Sequence, residues 1–546
     1  MRSERGSTRH AMRDSRIALS VRRKLDHDDA VGVLAIEDAF ARAQFETLRV
    51  LLRAIPAQTS AEAARIDIVR ARFARAENDV VIWYEAATRA AAQHPDPAQR
   101  LFARTLKALA RKQAEPGHGE AAIELAAVER ALWAAQPPDI GGAVYLLAVE
   151  AWKDRDYERA ESLLARNYEA GVRVAETRSL SGWIDIKRER YAAGAVHFEA
   201  ALAALEGSGE IDERLRARLV HGTANVAAET INFALGARAR AAYEATAWTD
   251  GLAVDQFNAL TMLRYLALLE GDLERAWLLA RQAATLMPEA PYAVHGETAA
   301  SFVSELLGDE RAAAIQLQRA WRLLRGHRWS EADHEERVAL TDFAMTAARM
   351  MPAEARQAIT IYQSLRPAAN PLNALEQDRR VNAFEMTAAA RVSEALGDRK
   401  AAVAQYNRAL ATWRELGHHL RVGQVAADLY RLTNDAAYAR ILRPIVRRAP
   451  RAWFGAVLRS RRSPLDELTA AQRRVLDELL QGKSAKTIAA NLDRSHHTVS
   501  NHTRKIFAAF RVKSRTRLLA NCVELGITAG PKKERPRRRA AAPGKQ

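Results

Sequence analysis

Residues 468–527 read LTAAQRRVLDELLQGKSAKTIAANLDRSHHTVSNHTRKIFAAFRVKSRTRLLANCVELGI, and the apolar spacing resolves into four short helices with punctuated joints. The first spans about Ala470–Leu480: Val475, Leu476, Leu479 and Leu480 share a face, Thr469 caps the start and Gly482 stops it. Ser484 caps a very short second helix, about 485–491, with Ile488, Ala489 and Leu492 turned inward. A tight turn over 492–495 ends on Ser495, the cap of the third helix. The inward positions there are Val499, His502 or Thr503, Ile506 and Phe510, which leaves Ser500, Asn501, Arg504, Lys505 and Ala508 facing out.

That outward set suits a DNA major groove. Arg bonds a guanine edge with two N–H groups, Asn does the same to adenine, Ser donates or accepts, and Ala lets a helix lie close. Lys505 suits a phosphate, as do Lys486 and Thr498, which sit where free backbone N–H groups at helix starts already attract phosphate oxygens. Ser514 caps a fourth helix whose Leu518, Leu519, Cys522 and Val523 close the small core or meet a partner. The bland alternative is four ordinary helices of a larger bundle with a solvated basic face; caps, turn and outer-face residues together favour a DNA-binding head.

This block resembles the LuxR-type helix-turn-helix domain of bacterial transcription regulators. The likeness runs through Leu468-Thr469, Val475-Leu476, Gly482, Ser484, Lys486, Ile488-Ala489, Leu492, Ser495, Thr498-Val499, His502, Ile506, Val512, Arg515 and Gly526. It implies base contacts from Ser500, Asn501 and Arg504, backbone contacts from Lys486, Thr498 and Lys505, and dimerisation on DNA through the fourth helix. Two positions depart from the family pattern: Ala471-Gln472 replaces the usual Arg-Glu of the first helix, and Ser500 stands where Lys is frequent.

The chain has 546 residues, 48% apolar and 27% charged, a globular composition long enough for several domains. Its formal charge is +17 with a pI near 10.1, but the excess sits at the two ends. Residues 459–546 hold 21 Lys or Arg against 7 Asp or Glu and residues 1–24 hold 8 against 2, so 25–458 is close to neutral. The ends are drawn to nucleic acid and the middle does something else. A single cysteine, Cys522, allows no intramolecular disulfide and fits a small core residue in a reducing cytoplasm, nucleoid-associated. No apolar run reaches the ~20 residues of a membrane span, and none suits a secretory signal.

The middle is repetitive. A turn is followed about five residues on by Ala, then by a medium or aromatic residue and a small or apolar one. Asp156-Tyr157 leads to Ala160, Leu164 and Asn167, Arg190-Tyr191 to Gly194, Phe198 and Ala201, and Gly236 to Ala241, Ala245 and Trp248. Gly271-Asp272, Gly308-Asp309 and Gly397-Asp398 lead to Ala276, Ala313 and Ala402, with a degenerate copy near Pro352. Tyr157 and Tyr191 lie 34 residues apart, but Gly308 and Gly397 lie 89 apart, which requires two units. The strongest units look like tetratricopeptide repeats, in which stacked hairpins bury a core no single unit could bury. The expected architecture is all-α, a tetratricopeptide-like right-handed solenoid with a large exposed concave face, followed by the small four-helix head. The expected division is a basic N-terminal arm at 1–24, degraded helical repeats at 25–136 (Pro137-Pro138 making the joint), clearer repeats at 137–450, a basic linker at 451–463, the head at 464–529 and a disordered basic tail at 530–546.

No catalytic set, cofactor or metal site is expected. Gly482-Lys483-Ser484 is a helix-joining turn, since a phosphate-binding loop needs Gly where Asp477 stands. His496, His497 and His502 lack partners to complete a metal set, and the N-terminus shows no strand–helix alternation of a receiver domain. The reading is a sequence-specific transcription regulator, not an enzyme: double-stranded DNA is its target, an unidentified protein or small-molecule effector binds the repeats, a homodimer forms on DNA, RNA polymerase is a candidate partner and no membrane is involved. The alternative is a repeat scaffold tethered to nucleic acid without sequence preference.

Overall fold

Twenty-two helices paired as hairpins form a solenoid in the computed structural model, which describes residues 29–117, 119–135, 140–209, 211–330, 337–365, 379–460, 464–465, 468–524 and 527. The pairs are α1 (Asp29–Ala41) with α2 (Phe45–Ala54), α3 (Ser60–Ala76) with α4 (Val80–Gln93), α5 (Pro97–Ala114) with α6 (Gly119–Ala134), and α7 (Gly141–Lys153) with α8 (Tyr157–Ala170). Then come α9 (Val174–Lys187) with α10 (Tyr191–Ser208), α11 (Glu213–Thr230) with α12 (Phe233–Ala245), α13 (Ala253–Glu270) with α14 (Leu273–Leu286), and α15 (Tyr292–Leu306) with α16 (Glu310–Gly326). The last are α17 (Val338–Ala347) with α18 (Pro352–Ser364), α19 (Arg379–Ala395) with α20 (Arg399–Glu415), and α21 (His419–Thr433) with α22 (Ala436–Arg448). A one-turn helix, α23 (Ala456–Ser460), follows, and the head holds α24 (Ala470–Leu480), α25 (Ala485–Leu492), α26 (His496–Ala509) and α27 (Arg515–Glu524). The described residues contain no strand. The 1–24 arm, the Pro137-Pro138 joint, Gly526 and the 530–546 tail lie outside the described residues.

One local device makes most of the hairpins. A left-handed residue closes the first helix and the next residue, Asp or Asn, caps the second: Asn78-Asp79, Arg155-Asp156, Ile231-Asn232, Gly271-Asp272, Gly308-Asp309, Gly397-Asp398 and Asn434-Asp435. Each cap's side chain accepts a backbone N–H of the first turn, satisfying a donor the helix leaves free. The fourth residue of the second helix is then small and buried, as at Ala160, Ala276, Ala313 and Ala402, so the two helices approach closely. Gly236, expected at a turn, is instead this small residue. The turn lies at Ile231-Asn232, and a Cβ on Gly236 would stand 3.1 Å from the methyls of Leu266. Ile231 holds φ 56, a strained value for a β-branched residue, so nothing in its identity marks a turn.

The expected open concave face is replaced by turns that touch. The Thr249 hydroxyl donates to the Ala43 carbonyl at 2.7 Å and Asp250 accepts the Glu46 N–H at 3.1 Å. Leu252 and Trp248 join Phe40, Phe45 and Leu48 in one apolar cluster. Further along, Arg379 pairs with Glu189 at 3.2 Å. Glu229 on α11 accepts from His418 Nδ1 at 3.0 Å and from Arg421 Nε at 3.0 Å. Contacts recurring about two hundred residues apart narrow the inner face to a half-open cavity of about 970 Å³, lined mainly by the first helix of each hairpin from α1 to α19.

Residues 453–458, inside the stretch expected to be a basic linker, extend the solenoid core: Phe454 is buried and the Trp453 ring meets Phe302 edge-on at 5.8 Å. No helix among the described residues is long and apolar enough to cross a membrane.

Candidate nucleic-acid interface

The head closes over a core of Leu468, Val475, Leu476, Leu479, Ile488, Val499, Ile506, Phe510, Leu518 and Cys522. Its helices start where the sequence places their caps. Thr469 accepts the Gln472 N–H at 3.3 Å while Gln472 Oε1 accepts the Thr469 N–H at 2.8 Å, a reciprocal cap. Gln472 therefore does here what a Glu would do at that position, without the charge. Ser484 and Ser495 cap α25 and α26 by accepting from Thr487 N at 3.2 Å and Thr498 N at 3.1 Å, without the return bond.

Between these helices Asp493 takes the left-handed conformation, φ 51, and turns the chain from α25 into α26. Glu478 holds the turn from below: its Oε2 accepts from Lys483 at 2.8 Å and Asn491 at 2.7 Å, joining α24 to α25. Partial burial pushes the Glu478 carboxyl up, yet the Asn491 and Lys483 donors outweigh it and hold the group below its ordinary range. Arg515 donates to the Leu479 carbonyl at 3.0 Å and Asn521 to the Phe510 carbonyl at 3.2 Å, which fastens α27 across the back. None of Glu478, Arg515 or Asn521 was singled out from sequence for these bracing bonds; the first is visible only as a carboxylate near the α24 end with a Lys five residues later.

With the core fixed, α26 has one face in and one face out. Val499 and Ile506 are buried, and Phe510 just beyond the helix end is buried with them. His502 and Thr503 are half-buried; the Thr503 hydroxyl donates to the Val499 carbonyl at 2.8 Å, and His502 Nδ1 has no hydrogen-bond partner among the described residues. Asn501, Arg504, Lys505 and Ala508 are exposed, Ser500 and Thr498 are half-buried at the edge, and Lys486 is exposed on the first turn of α25. All six residues expected to face DNA therefore lie on α26 or at the adjoining start of α25. Among the described residues Lys486, Arg494, Arg504 and Lys505 make no ion pair, so their charge is unneutralised, and residues 468–524 carry eleven Lys or Arg against four Asp or Glu.

The geometry is a two-helix corner whose second helix presents a polar, cationic face. Residues 466–520 match the family model described as bacterial regulatory proteins, luxR family. The segment is a LuxR-type helix-turn-helix domain, and the chain is an all-α protein in which a tetratricopeptide-like solenoid precedes it. DNA-binding transcription regulation is the function this domain carries. No curated protein matches the chain.

The LuxR-type domain also separates the four apolar residues expected on the last helix. Leu518 and Cys522 are buried in the head, Leu519 is half-buried, and Val523 is 79% exposed. Burial pushes the Cys522 thiol up to about 11, in line with an inert core residue.

Proposed function

We propose that the protein is a sequence-specific regulator in which α26 lies in the major groove, Ser500, Asn501 and Arg504 read base edges, and Lys486, Thr498 and Lys505 hold the phosphate backbone. The observation that carries this reading is the exposed, carboxylate-free outer face of α26, held rigid by the Ser495 cap and the Val499–Ile506–Phe510 core. Exposed Val523 on α27, beside half-buried Leu519, supports pairing of two heads through that helix on a two-part site. The solenoid senses a ligand or protein partner and changes how the heads are presented, the energy coming from unequal affinity for two arrangements.

The substitution series separates this from a tethered scaffold. Arg504→Ala and Asn501→Ala weaken the preferred site by about 1–3 kcal/mol and relax preference at particular base pairs, whereas Lys505→Ala weakens all sequences alike and lowers the salt slope by about 1. Equal loss on every sequence for all three variants would favour the scaffold.

A further inference from the structure

The half-open cavity is charged in a way the fold does not need. Eight Lys or Arg line it against four Asp or Glu. Two of those carboxylates are already committed: Glu37 to Arg65 at 2.6 Å and Glu176 to Arg173 at 2.7 Å. Asp212 caps α11, accepting the Leu215 N–H at 2.9 Å, and Asp255 sits among Arg214 and Arg218. Against them stand Arg72 and Arg75 on α3 and Arg214 and Arg218 on α11. Arg72, Arg75 and Arg214 make no ion pair among the described residues; they rest on aromatic rings, Arg72 at 4.4 Å from the Phe40 centroid, Arg214 at 5.5 Å from Phe40 and Phe45, and Arg75 at 5.6 Å from Trp83. Burial pushes Arg218 down, but the neighbouring Tyr145, Asp255 and Asp212 outweigh it and hold its guanidinium above its ordinary range.

These guanidinium groups repel one another. Burial, and then the Arg173 charge, push Arg72 down to about 10; burial, and then Arg218 and Arg72, push Arg214 down to about 10. Arg72 and Arg218 are exposed within the cavity and Arg75 and Arg214 are half-buried, and all remain cationic near neutral pH, so the cavity wall carries clustered positive charge that no packing demand explains. The same walls carry Phe40, Phe102, Trp152 and Trp183, and the volume is that of a site for a drug-sized molecule.

We propose that this cavity binds a small organic molecule bearing at least two negative charges, as carboxylates or phosphates, on an apolar or aromatic body. Arg72, Arg75, Arg214 and Arg218 bind the anionic groups and the aromatic walls hold the body. This deepens the reading that the solenoid senses a ligand and rests on it only for the consequence at the head. Because α3 and α11 belong to hairpins in successive turns, an anion held between them bridges the contact on which the closed form depends.

The test uses the full chain. Thermal unfolding and titration calorimetry are run with citrate, pyrophosphate and adenosine diphosphate, each against sodium chloride of equal ionic strength, and with adenosine as an uncharged body. At least one anion is expected to raise the melting temperature above its chloride control, and citrate against the two phosphates tells which anion class is taken. Arg72→Gln with Arg214→Gln is expected to raise the melting temperature of the ligand-free protein, by removing repulsion, and to weaken the anion at least tenfold. Arg75→Gln alone weakens it several-fold, and Arg325→Gln with Arg408→Gln, exposed and outside the cavity lining, leaves it unchanged. No stabilisation by any anion overturns the proposal. So does stabilisation that survives in the Arg72/Arg214 variant, since the anion is then held by the basic ends. Binding that is weakened in these arginine variants but leaves DNA affinity unaltered keeps the site and removes the sensing role.

Discussion

Replacing Glu229 by Gln removes the one carboxylate that, among the described residues, joins α11 to α21 across the turns of the solenoid. Glu229 is 5% exposed and receives Arg421 Nε at 3.0 Å and His418 Nδ1 at 3.0 Å, and the Arg421 guanidinium lies between the rings of Tyr265 and Phe384 at 4.6 and 4.8 Å. Burial alone would push the Glu229 carboxyl up, but the Arg421 and His418 charges and hydrogen bonds pull it down to about 2 from an ordinary 4.5. That depression corresponds to about 3 kcal/mol in favour of the folded state. A carboxyl whose folded value is depressed contributes fully above the unfolded value, so the contribution is present above pH 4.5 and is lost as pH falls through about 2. The substitution leaves Arg421 buried without its anion, a loss of about 3–5 kcal/mol. Hydrogen exchange measured near pH 6 reads the effect locally: backbone amides of α11 and α21 lose protection in Glu229→Gln by roughly two to four orders of magnitude, while those of the head do not change. A loss below about 1 kcal/mol, or equal loss in all hairpins, would refute the view that this buried cluster staples the turns.

Three further outcomes follow from the packing. Gly222→Ala would put a Cβ 2.4 Å from the Phe198 ring, so α10 and α11 must shift and stability falls by about 1–3 kcal/mol in denaturant titration. Thr469→Ala removes the reciprocal cap of α24 and destabilises the head by about 1 kcal/mol, read from hydrogen exchange of the head's core amides, whereas Thr469→Ser retains most of it. With its thiol pushed up to about 11, Cys522 reacts with an aromatic disulfide reagent at pH 8 only after denaturant unfolds the head; rapid reaction in the folded protein would contradict its buried placement.

The head was legible because its signals are local. Thr469, Ser484 and Ser495 cap where they were read to cap, and the period of Val499, Ile506 and Phe510 fixed which face of α26 looks outward. The solenoid was legible where glycine marked its turns, at Gly271, Gly308 and Gly397, and at Asp156-Tyr157, where the capping Asp was read with the Tyr that follows it. Where Asn78, Ile231 or Asn434 takes the same left-handed conformation, the turn is hidden, and the register slipped at Gly236 for that reason. The Asp or Asn that follows each of these residues was the better marker, because the cap it supplies is required whatever precedes it. The closure of the inner face was not legible at all. It rests on pairs such as Ala43 with Thr249 and Glu229 with His418, which a nearest-neighbour picture of stacked repeats does not contain. The cavity arginines stayed hidden with it, although Arg214 and Arg218, four apart on a helix whose Leu215, Leu219 and Val220 are buried, carry a faint signal of a charged inner stripe.

Base-specific recognition by the outer face of α26 is the central claim, and selection of bound sequences from a random DNA pool at near-physiological salt tests it most directly. Full-length protein is predicted to enrich one motif built of repeated half-sites, and Arg504→Ala to lose information at defined positions within it. Enrichment of no motif, or the same motif unchanged in Arg504→Ala, would contradict the account.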